Sequence, residues 1–335
     1  VELVGDVAAA VELARSLRAA DTGGWRASGV RQVLDQLGAG ARAHPVGEFE
    51  RRFVHAGEEF VGITVPVATA EPTHAAQAAC FRQVAEALTE EFGAAPILGS
   101  YGGVSPFYGG QLSPWGSHFL RWRGRPNSLE LRAGAAGPEL LLHPTEPVED
   151  WFWRQGQGVE FELAGFFAFA QRDRANEGLG LPGGWRAGDW DTFHRALRGF
   201  LAALPTETAA LGVALSPGIY LSGANGAVMV DLEVGDDLEI IAYALDKPAT
   251  VDFAGLGWPP PSAGGDRPTP ASLPVVGRTG GIAPGEVDAA GLASLLVDTA
   301  RAIGVAAPDQ LCLRDWSQRA GDYRVNFYGL TLSER

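Results

Sequence analysis

Lysine is almost missing from this chain: of its 26 basic residues Lys247 is the only lysine, and the rest are arginine. A phosphate-gripping P-loop needs Gly-Lys-Ser/Thr, and no such triplet occurs. Lys247 sits in LDKPAT, beside a proline at an expected strand end, a poor place for a desolvated nucleophilic amine. Cysteine stops at two, Cys80 and Cys312. Two widely spaced thiols make no disulfide framework, so both read as small buried hydrophobes in a reducing cytoplasm. No run of about 18 apolar residues exists, so no transmembrane helix is expected. The apolar stretch FELAGFFAFA (161–170) carries Glu162 and Gly165 and reads as a buried strand or helix.

Chemical signatures are equally scarce. The six histidines, His44, His55, His74, His118, His143 and His194, show no metal-ligand spacing with one another or with cysteine. No His-Glu-x-x-His is present, and GGVSPF lacks the last glycine of a Gly-x-Ser-x-Gly elbow. GLGLPG (178–183) fits Gly-x-Gly-x-x-Gly, but polar QRDRANE precedes it and Pro182 breaks it, so it reads as an interdomain linker. The acid clusters GDWD (188–191) and GDDLE (235–239) suit a helix start and a hairpin turn better than a cation. No catalytic residue, metal or cofactor is therefore expected. A net charge of −14 makes nucleic acid a poor partner and favours basic or mixed-charge protein surfaces.

What is present is a soluble globular composition, 46% hydrophobic and 20% charged, over 335 residues, enough for two domains. The first residue is Val1, so the start is expected to be trimmed or processed, and Asp6–Ala20 reads as an amphipathic helix rather than a signal peptide. GWRASGVRQVLDQLG follows as a second helix ended by Gly38. EFERRFVHA (48–56) and EFVGITVPVA (59–68) alternate and read as a hairpin. Thr73 caps a long helix to Gly93, after which SHFLRWRG, NSLELRAG and ELLLHP are short strands and VEDWFWRQG a short helix.

The tetrapeptide Gly-Trp-Arg-Ala recurs at Gly184 and opens GWRAGDWDTFHRALRGFLAALP, a helix capped by Asp189 or Gly188. GVALS, GIYLSG, AVMVDLEV and LEIIAYAL are strands, 259–284 is irregular, and 286–303 is a helix before the closing strands LCLRDW and YRVNFYGLTL. The fold class is α+β in two domains, each an antiparallel sheet with helices on one face, with a structural repeat as one reading of the repeated tetrapeptide. The boundaries expected are 1–157, a Gly-rich linker at 158–184, and 185–335.

GWRASGVRQVLDQLG, FRQVAEALTEEFG and RWRGRPNSLEL in this order resemble an uncharacterised family of small actinobacterial proteins, over roughly 21–157. WDTFHRALRGFLAALP, LEIIAYAL, LGWPPP (256–261) and GLASLLVDTARAIGVAAPDQL resemble the Tir-chaperone-like (TY-Chap, YbjN-related) domains, over roughly 185–332. The second resemblance lacks the Asn-Trp-like motif usual after Leu-Gly-Trp. It implies a secretion-chaperone-like fold that holds a protein or peptide partner, such as a toxin or secreted substrate, in a cytoplasmic, immunity-like or chaperone-like role. A small-molecule hydrolase or transferase with a non-local site, and a structural subunit of a larger assembly, stay open as alternatives.

One loop stands out as a candidate interface. GSYGGVSPFYGGQLSPWGSHF (99–119) interleaves Gly, Ser and Pro with Tyr101, Phe107, Tyr108 and Trp115. Long irregular loops in compact domains are often functional, and rings among small polar residues make adaptable contacts. These four rings are the expected partner anchors; a loop tucked over the core edge is the alternative.

Overall fold

The computed structural model describes residues 6–48, 50–101, 113–156, 166–172, 187–245, 251–259, 273–330, 332 and 334, with 151–156 and 166 through their backbone only. It is a two-domain α+β architecture built on two antiparallel sheets. The first has nine strands, ordered β1 (Arg42–Pro45), β2 (Phe60–Pro66), β6 (Pro138–Pro144), β5 (Asn127–Ala133), β4 (His118–Trp122), β3 (Ile97–Ser100), β7 (Phe166–Gln171), β14 (Tyr323–Tyr328) and β13 (Arg319–Ala320). The second has five, ordered β11 (Val275–Arg278), β10 (Leu238–Ala244), β9 (Gly226–Val234), β8 (Gly218–Gly223) and β12 (Cys312–Leu313). The two sheets share neither strand number nor order, and Gly184, Trp185 and Arg186 of the second Gly-Trp-Arg-Ala lie outside the described residues.

Helices α1 (Val7–Ala19), α2 (Ala27–Leu37) and α3 (His74–Phe92) belong to the first sheet, and α6 (Ala289–Ile303) to the second. Their starts follow the caps in the sequence: Asp6 accepts from the Ala8 amide, Thr73 from Ala76 and Asp288 from Gly291. Gly38 ends α2 at φ 76°, a region that disfavours side chains. The apolar positions of α1 that are buried, Ala10, Ala14 and Leu17, fall at helical spacing.

Between the sheets lies α5 (Trp190–Leu211), capped by Asp189, whose carboxylate accepts from the Thr192 amide. It packs on α3, on α6 and on strands of both sheets. Its last two turns, Leu204 to Leu211, are buried, which a helix contacting neighbours on several sides requires. It runs straight through Pro205, one turn and more beyond the expected end, and stops at Gly212 in the left-handed conformation.

The expected hairpin of 48–56 with 59–68 is corrected here. Phe60–Pro66 is a strand, but its partner is Arg42–Pro45, while Glu50–Arg52 forms a 3-10 turn. Glu50 is buried against the Gly47 backbone, and Phe53 enters an apolar cluster with Val61, Ile97, Phe119, Leu141 and Val148. That cluster covers the face of the first sheet away from α1 and α3, and Val148 brings α4 (Thr145–Gly156) onto it.

The chain also returns to its beginning. β14 pairs antiparallel with β7 from Tyr323↔Gln171 to Tyr328↔Phe166, so the last strands complete the first sheet. Both cysteines are free and buried.

Candidate binding site

Strand alternation places Arg42, Thr64, Arg132 and Glu139 on the outer face of the first sheet, because Arg42 lies opposite Thr64 and Arg132 opposite Glu139. With His44, Pro66, Tyr101, the stretch 133–137 and residues Ser113 and Gly116–His118, they line a cavity of about 510 Å³. That volume falls in the range of ligand clefts. Arg132 Nε donates to Glu139 Oε1 at 2.6 Å, and His44 Nε2 lies 2.9 Å from Thr64 Oγ1. Burial, then the Arg132 and Arg42 guanidiniums, push the His44 pKa down to about 4, which leaves the ring neutral at pH 7.

Behind Tyr101 runs a buried ionic cluster. Arg121 Nε donates to Glu130 Oε1 at 2.6 Å, the Tyr101 hydroxyl donates to Glu130 Oε2 at 2.6 Å, and His143 Nε2 stands 2.9 Å from Glu130 Oε1. Arg121, Glu130 and His143 are all essentially without solvent contact. Burial opposes a charge on Glu130, but Arg121 and then His143 overcome it and hold its carboxyl well below the usual range. Burial, followed by the Glu130 charge, pushes the Tyr101 hydroxyl far above the ordinary phenol value. This group fixes Tyr101 as a rigid cavity wall, with its ring 4.4 Å from that of Phe119.

A second polar group seats α5 against the same region. Glu207 Oε1 accepts from the Ser117 amide at 2.9 Å and from the Ser100 hydroxyl at 2.9 Å. Burial raises its pKa, and no basic side chain is paired with it among the described residues. Nearby, His118 is 0% exposed, with its ring 4.4 Å from Phe81 and 4.6 Å from Trp115. Neither of its nitrogens has a hydrogen-bond partner among the described residues. Burial pushes its pKa down to about 3, so the imidazole is neutral at pH 7. Ser100, Ser117, His118 and Glu207 are residue types of a hydrolase, yet both serines bond to the carboxylate and neither to the histidine.

The four expected anchors fall into two groups. Tyr101 and Trp115 are buried, at 4% and 1% exposure, so neither ring stands free on the surface. Trp115 lies against Phe81 and donates from Nε1 to the Gly134 carbonyl at 2.8 Å, which ties its segment to the β5–β6 turn. Phe107 and Tyr108 lie outside the described residues. What sequence reasoning missed is the cavity between the two fixed ends of that segment, with Arg42, His44, Arg132 and His118 in its lining. Among the described residues no group of three or more His, Cys, Asp or Glu could hold a metal ion, and no helix is long and apolar enough to cross a membrane.

The decisive comparison concerns the other half of the chain. Residues 185–317 match a chaperone family. Its model is described as T3SS (YopN, CesT) and YbjN peptide-binding chaperone 3, and the match spans less than half of the 335 residues. The matched stretch holds α5, α6 and all five strands of the second sheet. No curated protein and no solved structure matches the chain. The fold is consistent with a secretion chaperone, and the cavity lies outside the matched stretch, joined to it through Glu207.

Proposed function

We propose that this chain is a non-enzymatic module that binds a protein or peptide partner. It acts in the cytoplasm, immunity-like or secretion-chaperone-like, in a bacterial toxin, secretion or conflict setting. The observation that carries the reading is the match of 185–317 to peptide-binding chaperones. The acidic balance of the chain supports a protein rather than a nucleic-acid partner. Phe107 and Tyr108 are the proposed anchors, since Tyr101 and Trp115 are buried at either side of them. Residues 1–157 and 185–335 are the proposed units, with 158–184 between them contributing β7 to the first sheet and the final strands reaching back to that sheet.

Selection of a randomised dodecapeptide library on the immobilised full chain, followed by calorimetry, tests this. One-to-one binding near about 1 μM, about −8 kcal/mol, is expected for the enriched peptides. Replacing Phe107 and Tyr108 together by Ala should weaken it by about tenfold or more with an unchanged melting temperature. A selection that enriches no peptide contradicts the reading.

A further inference from the structure

We propose that the cavity on the outer face of the first sheet is a carboxylate-binding site, which takes an acidic side chain or the C-terminal carboxylate of a bound peptide. The ligand rests on the peptide-binding reading above; the site rests on its own geometry. The chain carries a net charge of −14, yet the cavity lining runs the other way. Its charged side chains among the described residues are Arg42 and Arg132 against one carboxylate, Glu139, which is already engaged by Arg132 Nε. Arg42 stands exposed on the edge strand β1 and pairs with no carboxylate among the described residues. Arg42 lies opposite Thr64 in the β1–β2 pairing, and Thr64 Oγ1 is 2.9 Å from His44 Nε2.

A carboxylate has the acceptor oxygens that a guanidinium fork calls for. Much of the lining is small: Ala133, Gly134, Ala135, Ala136 and Gly137 leave room for a main chain beside the sheet. A peptide supplies such a group at every Asp and Glu and at its last residue.

The test uses the full chain and one peptide enriched from the library. Three forms are titrated: the parent, a form with each Asp or Glu changed to its amide, and a form with an amidated C terminus. At least tenfold weaker binding of one altered form is expected, and which one it is identifies the source of the carboxylate. Arg42→Gln, an exposed position that leaves the fold intact, should weaken the parent peptide by a similar factor and leave the neutralised form unaffected. Raising salt should weaken the parent more than the neutralised form. Equal binding of all three forms, or an acid preference that survives Arg42→Gln, overturns the site and leaves peptide binding standing. Binding of no form overturns both.

Discussion

Glu130 is the residue on which the outer face of the first sheet depends, since Arg121, Tyr101 and His143 all converge on its carboxylate. Removing one partner of a buried ion pair leaves the other charge stranded. Glu130→Ala should therefore lower stability by about 3–5 kcal/mol, read by chemical denaturation. Glu130→Leu with Arg121→Met should recover part of that loss, because Tyr101 and His143 still lack their acceptor. If the single change costs no more than an average surface substitution, about 0.5 kcal/mol, the cluster contributes nothing. Two histidines add a pH signature. The His118 and His44 pKa values are pushed down to about 3 and about 4, so between those values and about 6.5 the unfolded chain binds protons that the folded chain refuses. Their contribution is full above about pH 6.5 and falls as the pH drops, with a slope nearing about 1.4 kcal/mol per pH unit for each. Glu130 adds a further loss at lower pH, below the usual carboxylate range, whereas Glu207, with its raised pKa, favours the folded state on the acid side. Unfolding free energies measured from pH 7 to pH 4.5 should fall, and the slope should flatten in His118→Phe. A profile unchanged by that substitution contradicts the assignment.

At the scale of elements, what could be read in advance followed local chemistry. Asp6, Thr73, Asp189 and Asp288 start their helices because their carboxylates or hydroxyl accept from nearby amides, a relation visible within a few residues. β4, β5 and β6 were equally legible from Gly- and Pro-punctuated alternation. The failures are non-local. EFERRFVHA alternates like a strand, but Glu50 and Phe53 are drawn into separate contacts, and β1 is four residues whose only advertisement is its pairing with β2. Pro205 marks a helix end in isolation, yet the turns after it are held by burial and by Glu207 on Ser100 and Ser117. Glu130 and Arg121 are charges inside strands, and their complementarity appears only once β4 and β5 are in register. The pairing of β14 with β7 is the least legible of all, because the strands are about 150 residues apart. It also yields a prediction. Val325, Phe327 and Tyr328 are buried, so ending the chain at Gln318 should cost on the order of 5 kcal/mol in the first half. Thermal unfolding followed by near-ultraviolet circular dichroism checks this; a shortened chain with the full-length melting temperature would show β14 to be dispensable.

For the whole molecule, α5 makes the two sheets one mechanical unit. Phe200 meets Phe167 of the first sheet and Phe327 of β14, while the same helix packs on β9 and α6. His74 Nδ1 lies 3.1 Å from Thr206 Oγ1, and Arg82 bonds both the Ala209 carbonyl and Asp236, so α3 is fastened along that helix. A chaperone-like half and a cavity-bearing half are thereby coupled through one buried element rather than through a linker alone. The family was legible from LEIIAYAL, LGWPPP and the helix of 286–303, since the matched stretch contains them. The cavity was not, because its lining comes from five strands and three loops. The central claim, that the chain binds a peptide and does so at this cavity, is tested most directly by hydrogen exchange on the full chain with and without a library-selected peptide. The account predicts slowed exchange at 42–45, 64–69, 113–118 and 132–139 when the peptide is bound. Saturating peptide with unchanged exchange in all four stretches would contradict it.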